Sequence, residues 1–215
     1  QSKIIVTGMP RADYYYGNLK LSKKHILYLL PAWRPPLSLE NEFLLDQKKY
    51  TQQITKIILN FAESNPNEKI IIKTKMKKNN LIFLDDLINH RKLKNVFVIK
   101  SGYVGALIKD AKVVVGFQSS ALIESLILKK PIIVPYFNIN RSKEFEKCTL
   151  NLKECSYYVY NEAAMKELLK DICDNKIGFP IIDDNKIKNI INHYIGNADG
   201  KSSSRLLKAL NKIFN

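Results

Sequence analysis

Four short runs of branched apolar residues, separated by segments of helical spacing, constrain this chain more than any other feature. They are "KIIIKTK" (69–75), "NVFVIK" (95–100), "KVVVGF" (112–117) and "PIIVPYF" (131–137). Between them lie "LIFLDDLINHRKL" (81–93), with Leu81, Leu84 and Ile88 at helical spacing, then "GYVGALIKDA" (102–111) and "SSALIESLILKK" (119–130). A strand wet on one face alternates apolar and polar residues. These runs are continuous, so both of their faces must be buried. Helical connections between such strands make them parallel neighbours. The sequence therefore predicts an α/β fold, a Rossmann-like doubly wound parallel sheet.

The flanks extend this pattern. Upstream, "HILYLLPAW" (25–33) predicts a strand, and "DQKKYTQQITKIILNFAES" (46–64) a helix with Tyr50, Ile54, Ile57, Ile58 and Phe61 on one face. Downstream, "YYVYN" (157–161) predicts a last strand and "EAAMKELLKDICD" (162–174) a helix. "NKIKNIINHYIG" (185–196) and "KSSSRLLKALNKIF" (201–214) predict a helical C-terminal tail. The opening "QSKIIVTG" (1–8) reads as a segment that enters a strand at once. No internal repeat or low-complexity linker interrupts the chain, so residues 1–215 are expected to form a single domain.

Lys and Arg total 35 against 20 acidic residues, a formal charge of +15. A field of that sign attracts polyanions, anionic lipid surfaces and phosphorylated small molecules alike. A solvated lysine face accounts for the same composition. Nucleic acid is disfavoured as a partner, because the aromatic residues do not interleave with Lys and Arg on one strand face. No apolar run approaches the ~20 residues of a membrane helix, so any contact with an anionic membrane is expected to be peripheral. Cys148, Cys155 and Cys173 are odd in number and lack metal-ligand spacing, which suits free thiols in a reducing, cytoplasmic compartment and no metal. His25, His90 and His193 have no partner at triad or metal spacing and are expected at the surface or half-buried.

Parallel sheets gather ligands at the carboxyl ends of strands and the amino ends of the following helices. In "VVVGFQSSALIESLILKKPIIVP" (113–135) a strand stops at Gly116, and Gln118, Ser119 and Ser120 precede a helix. Such a turn can hold a phosphate through N–H groups and hydroxyls, or Ser119 or Ser120 can simply cap the helix; both readings stay open. Glu124, one turn on, can accept hydrogen bonds from a ribose diol or face solvent. Arg34 and Lys73 fall at predicted strand ends, where a pyrophosphate would lie, with Lys75 two residues beyond Lys73. They could stabilise charge on a departing phosphate, or form a surface salt bridge and a solvated strand end. "GMPRAD" has turn chemistry, so a structural role is expected for Asp13, with Arg11 open.

"GFQSSALIESLILKKPIIVP" resembles the donor-nucleotide motif of glycosyltransferases with two Rossmann-like domains, the GT-B architecture. Lys129-Lys130-Pro131 replaces a Gly-x-Pro-like turn of that motif. "VTGMPRADYYY" is similar to the Thr-Gly-x-Pro-Arg-x-Asp segment of CDP-glycerol glycerophosphotransferase-like and bacterial surface-carbohydrate (capsule) synthesis proteins. "HILYLLPAWRPP" resembles their strand ending in Pro-Thr-Trp-Arg, and "ADGKSSSRLLKAL" their Asp-Gly-x-x-Ser-x-Arg tail. "IIIKTKMKK" stands where they have Lys-x-His-Pro, with Lys75 for the His.

The resemblance implies the donor-binding half of a glycosyl- or glycerophosphotransferase that makes a cell-surface polysaccharide or teichoic-acid-like polymer. It implies a CDP-, CMP- or UDP-linked donor as substrate without a separate cofactor, and a lipid-linked or surface-polymer acceptor. Gly116, Gln118, Ser119, Ser120 and Glu124 would bind the donor, and Arg34, Lys73 and Lys75 would meet its phosphates. Base recognition would fall on the backbone around Val98 to Tyr103. The catalytic base of such enzymes comes from an N-terminal domain. The chain opens without Met, so it is expected to be a piece of a longer two-domain protein. A sugar-nucleotide 2-epimerase, a basic nucleic-acid module and a non-catalytic interaction domain are the competing classes.

Overall fold

The computed structural model describes residues 4–31, 41–74, 82–137 and 150–214. The apolar runs become β1 (His25–Leu29), β2 (Ile70–Lys73), β3 (Val96–Ile99), β4 (Ala111–Gly116), β5 (Ile132–Pro135) and β6 (Tyr157–Val159). They form one sheet in the order β3-β2-β1-β4-β5-β6, and every pairing is parallel. Leu29 pairs with Lys73 on one side and Gly116 on the other, so the carboxyl ends of β2, β1 and β4 are level.

Seven helices are described: α1 (Asn41–Ser64), α2 (Ile82–His90), α3 (Val104–Lys109), α4 (Ser120–Ile127), α5 (Glu162–Cys173), α6 (Asp184–Ile195) and α7 (Ser202–Phe214). Alternate strand residues face opposite layers. From β1, Ile26 and Tyr28 pack with α1, α2 and α5, whereas Leu27 and Leu29 pack with α3, α4 and α6. This double burial explains the continuous apolar runs of the inner strands; the run of β3, at the sheet edge, is not buried on both faces, and its Phe97 is exposed. Each fully buried Ile, Leu or Val is worth about 1.5–3 kcal/mol, which makes the two layers the main source of stability.

Three expectations need correction. Residues 4–9 are not a strand: Ile4, Ile5 and Val6 are exposed, and the segment is tied to the tail instead of to a sheet edge. Arg205 Nε donates to Thr7 O at 2.9 Å, and Asn197 Nδ2 to Val6 O at 3.4 Å. The turn expected at "GMPRAD" continues into a 3-10 helix, Pro10–Tyr16. His25 is buried at the start of β1, its Nε2 3.0 Å from Leu107 O, and burial lowers its pKa. His90 and His193 are exposed as expected.

The structural role expected of Asp13 is present. Its carboxylate accepts from the backbone N–H groups of Ser202 and Ser203, capping α7 from the far end of the chain. The Lys-Lys-Pro turn also closes without glycine. Lys129 adopts φ +48°, and Lys130 donates its N–H to Ser125 O and its ammonium to Ser22 O and Ala111 O. Beyond its capped end, α7 presents Leu206, Leu207, Leu210 and Ile213 to solvent.

Candidate functional site

The strand order reverses between β1 and β4, because the chain leaves β1 toward β2 and leaves β4 toward β5. The helices diverge there and leave a crevice at the carboxyl ends. A cleft of about 370 Å³ occupies this position. Leu29 to Pro31 and Lys73 form its sheet side, Gly102 to Val104 one wall, and Phe117 to Ala121 with Glu124 the other. Arg11, from the 3-10 helix, completes it.

The serine turn divides its duties. Ser119 is the N-cap of α4, its Oγ accepting from Ala121 N at 3.3 Å. Ser120 is the first helical residue, exposed, and its Oγ accepts from Arg11 Nη2 at 3.4 Å. Gln118 has φ +53°, and its Oε1 accepts from Leu150 N at 3.0 Å. Gly116 does not line the cleft. A Cβ there would stand 3.2 Å from Leu29 Cβ and 3.3 Å from Leu122 Cδ2, so the glycine serves close strand-to-helix packing. Lys73 is only 8% exposed, with Nζ donating to Thr74 O at 3.2 Å. The solvated strand end considered from the sequence does not apply to it. Arg34 and Lys75 lie outside the described residues.

Glu124 is 0% exposed, which excludes a solvent-facing role. One carboxylate oxygen pairs with Arg11 Nη2 and the other accepts from the Tyr15 hydroxyl. A ribose diol could reach this carboxylate only if Arg11 moved away. Burial, with the bond to Glu124, raises the Tyr15 pKa far above its ordinary value, so Tyr15 stays a donor at any physiological pH.

Around this node stands an aromatic wall. Tyr14 meets the rings of Tyr15 and Tyr103 edge-on, each at 5.3 Å between centroids. Gly105 makes the wall possible, since a Cβ there would come within 2.4 Å of the Tyr103 ring and 2.8 Å of the Tyr15 hydroxyl. Sequence reasoning missed Tyr15 and Gly105 as site residues, and named Tyr103 only for its backbone. The available signals were the "DYYY" run beside the Pro-Arg turn and the two glycines of "GYVG".

Among the described residues the lining carries two cations, Arg11 and Lys73, and one carboxylate, Glu124, already satisfied by donors from the protein. With the first turn of α4 and the Ser120 hydroxyl, the cleft suits an anion of phosphate type. Among the described residues no group of three or more His, Cys, Asp or Glu could hold a metal ion. Among them, too, no helix is long and apolar enough to cross a membrane.

No family model and no curated relative matches the sequence. Solved structures do match its fold. A variant of the wall teichoic acid polymerase TagF matches with a TM-score of 0.60 at 17% identity, over 97% of this chain and 52% of that one. The UDP-GlcNAc 2-epimerase of Methanocaldococcus jannaschii, solved with UDP-GlcNAc and UDP, matches with 0.56 at 18% identity, over 98% and 55%. A variant of S. aureus TarM in complex with fondaparinux, α-GlcNAc-glycerol and UDP matches with 0.53 at 16% identity, over 91% and 37%. The fold is that of the C-terminal domain of GT-B proteins. The chain spans about half, or less, of the length of the structures it matches.

Proposed function

We propose that the cleft binds the diphosphate of a nucleotide-activated donor, and that the chain is the donor half of a glycosyl- or glycerophosphotransferase. One observation carries the reading: at the sheet's switch point, the exposed Ser120 hydroxyl on the first turn of α4 shares a single cleft with Arg11 and Lys73. The phosphates would lie against Ser120 and the α4 start, with Lys73 offsetting charge on the departing nucleotide. Gly102 and Tyr103 would flank the base. The matched TarM variant and the epimerase, each solved in complex with UDP, support this class of ligand.

The finer parts of the reading follow the sequence motifs. The donor would be CDP-, CMP- or UDP-linked, and the acceptor a lipid-linked or surface polymer such as a capsular or teichoic-acid-like chain. The reaction would take place at the inner face of the membrane, with peripheral contact through the excess of basic residues. An epimerase gains no support from the described lining of the cleft, in which Glu124 is the one carboxylate, buried and already satisfied.

Calorimetric titration with UDP, CDP, CMP and a single-stranded oligonucleotide tests the proposal. A nucleoside diphosphate should bind, and Ser120→Ala should weaken it about tenfold, since a hydrogen bond to a charged group is worth ~1.5 kcal/mol or more. Binding of the oligonucleotide alone would sink the reading in favour of a basic nucleic-acid module.

A further inference from the structure

We infer that Arg11 is the phosphate-recognising residue of the cleft, and that Glu124 is its positioning residue rather than a ligand of the ribose. The inference rests on the proposed binding of a nucleoside diphosphate and deepens it.

Glu124 has no exposed surface, and both of its oxygens are engaged by donors of the 3-10 helix, Arg11 Nη2 and the Tyr15 hydroxyl. A buried carboxylate stripped of its cation is strongly unfavourable, so Arg11 is held where it stands. Tyr15 is itself anchored, buried beside Ala12 and against Gly105. The guanidinium is therefore fixed at one edge, and 47% of the Arg11 side chain remains exposed at the cleft. Among the described residues only Nη2 makes hydrogen bonds. The Nε and Nη1 donors remain for a ligand, in the planar fork that suits phosphate oxygens.

Ser120 fits the same scheme. Its Oγ accepts from Arg11 Nη2, which leaves the hydroxyl proton to be donated elsewhere. An anion beside Arg11 would take that proton as a second, short donor. Arg11, Ser120 and the start of α4 thus converge on one point of the cleft. Glu124 serves them from behind.

The test titrates inorganic pyrophosphate, UDP and uridine into the parent protein and its variants. Glu124→Gln keeps size and acceptor but removes the charge that orients Arg11. It should weaken pyrophosphate and UDP together, about tenfold, while uridine is unchanged; charge-assisted hydrogen bonds of this kind are worth that factor. Arg11→Met should lose at least as much, and Arg11→Lys should recover part of it, with a point charge in place of the fork. Because Arg11→Met strands a buried carboxylate, the double variant Arg11→Met/Glu124→Gln repeats the test without an unpaired charge.

The opposite pattern is equally definite. If Glu124→Gln weakens UDP and uridine but leaves pyrophosphate as in the parent, Glu124 holds the ribose and the inference is wrong. If the double variant binds pyrophosphate as the parent does, Arg11 is only a structural partner of Glu124. Failure of the parent to bind either UDP or pyrophosphate would remove the nucleotide reading itself.

Discussion

Removing the Asp13 carboxylate should unfasten the two ends of the chain from each other. Asp13 accepts from Ser202 N at 3.0 Å and from Ser203 N at 2.7 Å, the first two residues of α7. Ser202 is buried and Ser203 exposed, so the two donors fare differently in Asp13→Ala. The Ser202 N–H would lose its partner where water is scarce, costing about 1–2 kcal/mol, whereas the Ser203 N–H would turn to solvent at about 0.5 kcal/mol. The sum, about 2 kcal/mol, matches the upper range for losing an acidic N-cap. For a chain of this size it should lower the melting temperature by roughly 4–8 °C. Asp13→Asn keeps one acceptor and should cost about half as much. Burial opposes ionisation of Asp13, but the serine donors outweigh it and its pKa lies below the ordinary value. The stabilisation is therefore full above the unfolded pKa of 3.8 and fades as pH falls through the lower folded value. Urea unfolding gives the energy, and amide exchange at Ser202 and Ser203 gives the location. Unchanged exchange at those two amides in Asp13→Ala would refute the clasp, whatever happened to global stability.

Two further predictions concern charge. Burial lowers the Lys130 pKa from 10.5 to about 8. Between those values the unfolded chain holds more of this proton than the folded one, so the Lys130 contribution to stability should rise with pH, by roughly 3 kcal/mol in all. Comparing urea unfolding of the parent and Lys130→Met from pH 7 to 10.5 isolates the effect, and a flat difference would disprove it. For the proposed peripheral membrane contact, the protein should sediment with anionic but not neutral vesicles and be released by salt, at ~1 kcal/mol per basic residue near the surface. Equal sedimentation with both vesicle types would exclude an electrostatic mechanism.

The sheet was legible because double burial leaves an unmistakable trace. Runs such as Ile70–Ile72 and Val113–Val115 admit no wet face, and the helices between them force parallel pairing. The site was legible only by half. Ser119, Ser120, Gln118, Glu124 and Lys73 come together because strand ends in a parallel sheet must do so. What they touch depends on contacts remote in sequence. Nothing near Glu124 announces that Arg11 and Tyr15 cover it from more than a hundred residues away. Gly116 carries a packing constraint that is equally silent in the local sequence. A glycine after a strand suggests a phosphate turn, yet its need here comes from Leu29 and Leu122 on either side. Lys129 conceals its turn, because a left-handed backbone at lysine carries no local signal.

The 3-10 helix joins these separate observations through its pitch. With three residues per turn, side chains at i and i+3 eclipse one another, so "RADYYY" presents three ridges of two residues each. Ala12 and Tyr15 are the buried ridge, packed into the layer of α3, α4 and α6. Asp13 and Tyr16 are the ridge toward the tail: Asp13 caps α7, and Tyr16 closes so tightly on Gly200 that a Cβ there would lie 2.7 Å from its own. Arg11 and Tyr14 are the ridge toward the cleft, Arg11 on Glu124 and Ser120, Tyr14 edge-on to Tyr103. An α-helical turn of the same sequence would advance each residue by about 100° and set the two members of each ridge about 60° apart. The tail and the candidate anion site therefore share one short element. Asp13 and Tyr16 meet the far end of the chain from the same seven residues that carry Arg11 to Glu124 and Ser120.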